Sequence, residues 1–208
     1  MAEFSHRKRV PGARLVWLFR VTLVQRTLVS AGRQVPGRSV RWGDLRRPRP
    51  FSDRYGYDRG TPIERYYIDR DNRDADLHAD LNVPGSLPVG SFDYVILTQV
   101  LQFLSPETAL ANVWASLAPG GVLMLTVPSL ARVDPHDPGT DFWRFTPNGL
   151  AELLHRLGMP ASVAGYGNVL ACVASLWGPS VEEISAKELD VADPRFPLVA
   201  CAHAEKAR

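Results

Sequence analysis

The chain has 208 residues, 45% of them hydrophobic, which is enough to bury one hydrophobic core. Its formal charge of +2 is unevenly spread: residues 1–60 hold 14 Arg or Lys against four acids, and the remainder is mildly acidic. The two cysteines exclude a disulfide framework, and no CxxC motif or His/Cys cluster indicates zinc. We therefore predict no metal site and a reducing, cytoplasmic compartment.

The first predicted element is a basic helical arm. Its apolar stretch, Leu15 to Val29, is interrupted by Arg20 and Arg26 and is shorter than the roughly 20 apolar residues that span a bilayer. Together with Arg14 these arginines point in three directions, which disfavours an interfacial helix. We interpret the arm as packing on the body or on a partner, with peripheral contact to an anionic membrane as the alternative.

Residues 33–62 are rich in Arg, Gly, Pro and aromatic residues and have no sustained period of 2 or 3.6. This pattern predicts a loop or linker rather than regular structure. Interleaved arginines and aromatics suit nucleic acid, but no RNA-binding or helix-turn-helix signature accompanies them, so no specific nucleic-acid site is predicted. The predicted organisation is an arm and linker over residues 1–62, followed by one domain over residues 63–208.

Strands and helices alternate in the predicted domain. The predicted strands are Tyr66–Asp69, Phe92–Thr98, Val122–Pro128, Ser162–Tyr166 and Leu198–Ala204. The predicted helices run from Ser105-Pro106 to about Leu117, over Pro147–Leu157 with Thr146 as the cap and Gly158 as the stop, and over Asn168–Leu189. This alternation predicts an α/β fold with a mostly parallel sheet and helices on both faces.

Two of these segments carry a family resemblance. Ser91-Phe92-Asp93-Tyr94-Val95-Ile96-Leu97, followed after a helix by Leu117-Ala118-Pro119-Gly120-Gly121-Val122-Leu123, resembles the "sFD.V" and "L.PGG.L" motifs of class I, S-adenosylmethionine-dependent methyltransferases. The resemblance implies a Rossmann-like sheet that is mostly parallel, with an antiparallel C-terminal strand. It also implies S-adenosylmethionine as the cofactor.

Further segments resemble a type 11-like bacterial branch of that family that is associated with glycosyltransferases. They are Arg41–Arg47, Tyr55–Ile63, Asp141–Thr146 and Tyr166–Val169. The resemblance implies O-methylation of a sugar, polysaccharide or small-molecule hydroxyl, with a glycan or small-molecule acceptor. It also allows a glycosyltransferase partner.

The chain departs from this branch between the predicted strand at Tyr66–Asp69 and the segment Arg70–Asp76. Compared with this branch, about 40 residues are missing there, including the first strand and its glycine-rich turn, which normally form the ligand crevice. No GxGxG motif occurs anywhere in the chain. We therefore expect Phe92–Thr98 to lack a neighbour, unless Leu15–Val24 replaces it, and such an open edge favours dimerisation or aggregation.

The departure leaves two hypotheses open. The first is a working methyltransferase whose cofactor site is completed by a turn without glycine or by a partner chain. The second is a catalytically inactive homologue that acts as a binding or scaffold module.

The resemblance implies a set of cofactor-binding residues, each with a structural alternative. Asp69 would accept hydrogen bonds from the ribose hydroxyls, and the alternative is a solvated turn acid. Asp80 would accept from the adenine amino group while Leu81 packs on the ring, and the alternative is a strand-end cap. Thr98, Gln99 and Val100 would line the site between cofactor and substrate, and the alternative for Gln99 is a helix-capping residue. The implied cofactor-binding residues are Asp69, Asp80, Leu81, Asn82, Thr98, Gln99 and Val100.

The predicted substrate side is the loop after the strand at Val122–Pro128. His136 is a candidate general base, since methylation of a hydroxyl requires removal of a proton, and the alternative is an exposed loop histidine. Asp141, Trp143 and Arg144 would bind a sugar through stacking and hydrogen bonds. The alternative for these three is a structural Asp–Arg pair with the tryptophan buried.

Overall fold

A computed structural model describes residues 40–44, 63–69, 73, 75–134, 138–177 and 184–208. In this part of the chain the strands are β1 (Val40–Asp44), β2 (Ile63–Asp69), β3 (Leu77–His78), β4 (Phe92–Thr98), β5 (Leu117–Pro128), β6 (Ala161–Tyr166) and β7 (Val199–Glu205). The helices are α1 (Pro106–Ser116), α2 (Pro147–Arg156), α3 (Val169–Trp177) and the short α4 (Ala186–Leu189), with a 3-10 turn at Leu101–Phe103.

The seven strands of the described residues form one sheet in the order β3-β2-β1-β4-β5-β7-β6. Strands β1 to β5 pair in parallel, and β7 runs antiparallel to both of its neighbours, β5 and β6. The predicted α/β class, the mostly parallel sheet and the antiparallel C-terminal strand are therefore confirmed.

Strand β1 corrects one expectation from the sequence. Val40–Asp44 pairs with β2 on one side and with β4 on the other, where Gly43 is the partner of Val95. We expected the first strand to be missing and Phe92–Thr98 to lack a neighbour, and this expectation is wrong. The expectation that residues 40–44 lack regular structure is also wrong. A central parallel strand is specified by its two neighbours, so a short segment containing Arg and Gly can form one against its own propensity.

The predicted local signals at α2 are confirmed. The Thr146 hydroxyl accepts a hydrogen bond from the Gly149 amide at 3.0 Å, Pro147 occupies the first turn, and the helix ends before Gly158. Gly158 has a φ of +68°, the left-handed conformation that favours glycine after a helix. The single helical stretch expected over Asn168–Leu189 is instead two helices, α3 and α4, and residues 178–183 lie outside the described residues.

Helices cover both faces of the sheet, as the alternation predicted. On one face α1 and α2 bury Leu110, Leu150 and Leu154 in the main core. On the other face α3 packs Ala171 and Cys172 against β7.

The segment after β7 is attached to the end of α1. The Lys206 ammonium donates to the carbonyl oxygens of Trp114 and Leu117, each at 2.8 Å. These are among the carbonyls that a helix C-terminus leaves without partners, and a cation is favoured there.

Candidate functional site

The parallel strands place their carboxyl ends along one edge of the sheet. Chain order reverses at β1: β2 and β3 lie on one side of it, whereas β4 and β5 lie on the other. Such a reversal opens a crevice at the carboxyl ends of the strands, the usual ligand position in open α/β sheets. Asp69 ends β2, and Thr98 ends β4, so this edge holds several of the predicted site residues.

The predicted adenine-binding segment follows β3 and is held by its own hydrogen bonds. The Asp80 carboxylate accepts from the Asn82 amide at 2.9 Å. The Asn82 side-chain oxygen accepts from the amide of Ser105, the cap residue of α1, at 2.8 Å. Leu81 is buried in the main core. The segment is thus anchored to both the core and the start of a helix, and its contacts with a ligand stay predictions.

Asn112, a residue that the sequence analysis did not select, fixes this segment from α1. Its amide nitrogen donates to the carbonyls of Leu81 and Val83, both at 2.8 Å, and its oxygen accepts from the Gly85 amide at 2.7 Å. The side chain is only 6% exposed. An asparagine among the mostly apolar buried residues of the helix is the signal that would have identified it.

Gln99, the first residue after β4, has a strained backbone conformation. Its φ is +55°, a left-handed value that costs a residue other than glycine roughly 1–2 kcal/mol. The residue is buried, and its amide donates to the carbonyl oxygen of Thr126 in β5 at 2.8 Å. Thr98 is also buried, and Val100 packs against the core. Strain of this kind at the carboxyl end of a central strand is typical of functional sites.

Gln102 joins this turn to the loop after β5 and was not selected from the sequence. Its side-chain nitrogen donates to the Gln99 carbonyl at 3.1 Å. Its backbone carbonyl accepts from the amides of Phe142 and Trp143 at 3.0 and 3.2 Å. Its side-chain oxygen is buried without a hydrogen-bond partner. A glutamine within the apolar run Leu101–Leu104 was the available signal.

The loop after β5 is braced by an ion pair. Two nitrogens of the Arg144 guanidinium donate to the Asp141 carboxylate, with Nη2 at 2.7 Å from Oδ2. The guanidinium also donates to the carbonyls of Ala131 and Arg132. The hydrogen bond from Arg144 lowers the pKa of Asp141, and the same bond raises the pKa of Arg144. The pair expected under the structural alternative is therefore present.

Trp143 is nevertheless not buried, contrary to that alternative. Its indole nitrogen donates to the Leu104 carbonyl at 3.0 Å, while 45% of the residue is exposed. The neighbouring Phe142 is 62% exposed. Two exposed aromatic residues are thus held by three hydrogen bonds to the turn after β4, and their role toward a substrate stays a prediction.

The candidate base His136 lies in residues 135–137, outside the described residues. Across the part of the chain that the structure describes, no group of His, Cys, Asp and Glu is placed to hold a metal ion. Within the same residues, no helix has the length and apolar character required to cross a bilayer.

The described edge fits part of S-adenosylmethionine. Asp69 ends β2 and Asp80 follows β3, the positions where acceptors for ribose hydroxyls and an adenine amine are needed, and the Gln102 side-chain oxygen is a further buried acceptor without a hydrogen-bond partner. The end of β1 fits less well, because Leu45, Arg46 and Arg47 follow it in place of glycines. The adenosine half of the cofactor therefore fits the residues present, whereas the methionine half has no glycine turn.

Part of the chain matches a known family model. The family model described as "Methyltransferase domain" matches residues 61–125. No match was found among curated proteins.

Solved structures of methyltransferases share the fold at low identity. The CurJ carbon methyltransferase is 16% identical with a TM-score of 0.54, and the match covers 90% of this chain and 54% of that one. An S-adenosylmethionine-dependent methyltransferase from Archaeoglobus fulgidus is 17% identical with a TM-score of 0.52, and the match covers 91% and 99%. Haemonchus contortus phosphoethanolamine N-methyltransferase 2, in complex with S-adenosyl-L-methionine, is 11% identical with a TM-score of 0.56, covering 90% and 53%.

The chain spans about half the length of the CurJ and Haemonchus proteins. The family model thus covers residues 61–125 of this chain, and the solved structures share its fold.

Proposed function

We propose that the protein is an S-adenosylmethionine-dependent methyltransferase that methylates a hydroxyl of a sugar, polysaccharide or small molecule. The observation that carries the proposal is the strained, buried turn at Gln99. Through Gln102 this turn connects the crevice beside β4 to the exposed aromatic residues Phe142 and Trp143. A cofactor at the crevice and an acceptor on the aromatic residues would therefore meet across one rigid turn.

On this proposal the adenosine part of the cofactor is held at the carboxyl edge. Asp69 accepts from the ribose hydroxyls, Asp80 accepts from the adenine amine, and Thr98, Gln99 and Val100 line the crevice beside it. When bound, S-adenosylmethionine supplies an electrophilic methyl group. The residues of the chain orient the acceptor and exclude water, which is most of what methyl transfer requires.

The acceptor side is proposed to be an aromatic platform. A Trp whose indole nitrogen already has a partner leaves its ring face for stacking on a sugar or another ring. Asp141 and Arg144 brace the loop, because most guanidinium donors are already used within it. The acceptor hydroxyl must lose a proton, and His136 stays the candidate base for this step.

A second function, an inactive homologue that acts as a binding or scaffold module, is favoured by one observation. The residues that follow β1 are Leu45, Arg46 and Arg47, so the sequence offers no glycine turn for the methionine part of the cofactor.

Isothermal titration with S-adenosylmethionine and S-adenosylhomocysteine separates the two functions. Binding tighter than about 100 μM, equivalent to roughly −5.5 kcal/mol, supports the enzyme. The charge-removing variant Asp69→Asn should weaken binding about tenfold or more, since it removes an acceptor. The matched variant Asp190→Asn removes an exposed acid directly after α4, outside the predicted cofactor-binding residues, and should leave binding unchanged. No heat at millimolar cofactor would reject the enzyme.

The acceptor is identified by incubating the protein with S-adenosylmethionine and each of a panel of sugars and small hydroxyl compounds, and by measuring the S-adenosylhomocysteine that forms from the cofactor. Trp143→Ala should raise KM for the accepted compound about tenfold, while Trp143→Phe, which keeps a stacking ring, should stay within a few-fold. Equal KM values for the two variants would exclude the platform.

The proposed setting follows the sequence analysis. We propose a cytoplasmic protein with a basic arm and linker over residues 1–62, of which β1 joins the sheet, and a methyltransferase domain over residues 63–208. Its partners would be the acceptor and a glycosyltransferase, with membrane contact at most peripheral and no specific nucleic acid.

A further inference from the structure

Helix α3 has a buried face and a separate exposed face. Ala171, Cys172 and Ala174 are buried, and the first two pack against Leu198, Val199 and Cys201 in the core beside β7. These small side chains let the helix lie close to the sheet.

The exposed face of α3 is entirely apolar. Its residues are Val169, Leu170, Val173, Leu176 and Trp177, with exposed fractions from 41% to 86%. At 100° per residue these five positions fall within an arc of about 120°, the width of the apolar stripe with which a helix normally packs on another surface. The helix contains no charged residue. A helix that is apolar on all sides is normally buried, yet this face is exposed in the described part of the chain.

The surface beside this face extends the apolar area without adding a strong charge. Residues 184–196 pack along the start of α3, where the Asn168 side chain donates to the carbonyls of Glu188 and Val191. This segment carries two basic and three acidic residues and presents Val191 and Phe196 to solvent. With these two residues the exposed apolar area is on the order of 700 Å², close to the roughly 800 Å² per partner of a standard interface.

We propose that α3 is a dimer interface that packs on α3 of a second copy of this chain across a twofold axis. An uncharged apolar stripe is complementary to itself, and a twofold contact covers both copies of the face at once. An anionic membrane would need a basic rim, whereas the flanking segment has a net charge of −1. Helix α3 packs on β7, which β4 and β5 separate from β1 in the sheet, so the interface does not depend on the proposed methyltransferase activity.

Sedimentation equilibrium of the full chain tests the interface directly. The wild-type chain should dimerise, and Leu176→Arg should raise the dimer dissociation constant at least tenfold, because it places a charge within the apolar stripe. The matched control Val89→Arg adds the same charge at a 78% exposed valine in the turn before β4, and it should dimerise like the wild type. A monomeric wild-type chain at every concentration would overturn the proposal.

Cross-linking gives a second test that does not depend on the folding of Leu176→Arg. A thiol introduced by Val173→Cys lies on the exposed face, so oxidation should yield a covalent dimer, whereas Val89→Cys should not. The native thiols interfere little, because Cys172 and Cys201 are buried and burial raises the pKa of the Cys172 thiol. The absence of a covalent dimer from Val173→Cys would refute a second copy as the occupant of this face. The same conclusion would follow if monomers bound to phosphatidylglycerol vesicles and Leu176→Arg abolished that binding.

Discussion

The side chain of Asn112 offers the sharpest test of how the predicted adenine-binding segment is supported. Replacing it with alanine removes the amide that partners two carbonyls and one backbone N–H in residues 81–85. The perturbation lies in α1 and does not change any residue proposed to touch the cofactor. Its effects on stability and on cofactor binding should therefore be separable.

The expected loss of stability follows from what Asn112→Ala leaves behind. Three backbone groups lose their partners in a site where the side chain is 6% exposed, and each costs about 1 kcal/mol after partial hydration. The smaller side chain leaves a cavity of roughly 25 Å³, which adds about 0.6 kcal/mol. The total is about 3–4 kcal/mol, a large share of the 5–15 kcal/mol typical of a domain.

Urea denaturation and calorimetry measure this loss. The melting temperature should fall by about 10 °C, using roughly 2–4 °C per kcal/mol for a chain of this size. The control Glu107→Gln, at an exposed position of the same helix, should change the free energy of unfolding by less than about 0.5 kcal/mol. Cofactor affinity should also fall, because Asp80 loses the support of its loop. A loss below 1 kcal/mol for Asn112→Ala would refute the assigned role of these hydrogen bonds.

Three further predictions concern other parts of the described structure. Because the pKa of Asp141 is lowered in the folded state, its pair with Arg144 stabilises the fold above about pH 4 and is lost as the pH falls through the folded pKa. Melting curves of Asp141→Asn should therefore depend less on pH between about 2 and 5 than those of the wild type, and parallel curves would contradict the pairing. Gln99→Gly should raise the free energy of unfolding by about 1 kcal/mol, because glycine relieves the backbone strain, and it should weaken cofactor binding. A fall of several kcal/mol in the free energy of unfolding would show that the contacts of the Gln99 side chain outweigh the strain. Lys206→Met should cost about 1–2 kcal/mol in urea by leaving the end of α1 uncapped, and an unchanged midpoint would rule out that capping.

Sequence reasoning predicted the elements whose signals are local. The apolar run Phe92–Thr98 and the Thr146 and Gly158 boundaries of α2 depend on side chains within the element, and each was placed correctly. Strand β1 was missed because its position comes from pairing with distant neighbours rather than from alternation in Val40–Asp44.

The sequence predicted which edge of the sheet holds the candidate site, but not the hydrogen bonds that support it. Motif positions placed Asp69 and Gln99 at the carboxyl edge, since strand ends follow from strand order. The cross-links made by Asn112 and Gln102 join residues about 20 to 40 positions apart, and no local pattern encodes such contacts. The exposure of Trp143 likewise depends on how its loop folds over the turn after β4.

The position of β7 between β5 and β6 has a consequence for synthesis of the chain. Strand β6 and helix α3 are translated before Val199–Glu205, yet within the described sheet β6 pairs only with that strand. Until those residues leave the ribosome, β6 has an unpaired edge on both sides and the apolar helix after it has no sheet to cover. The nascent chain therefore passes through a state with strand edges and apolar surface exposed, in which chaperone binding or premature association competes with folding.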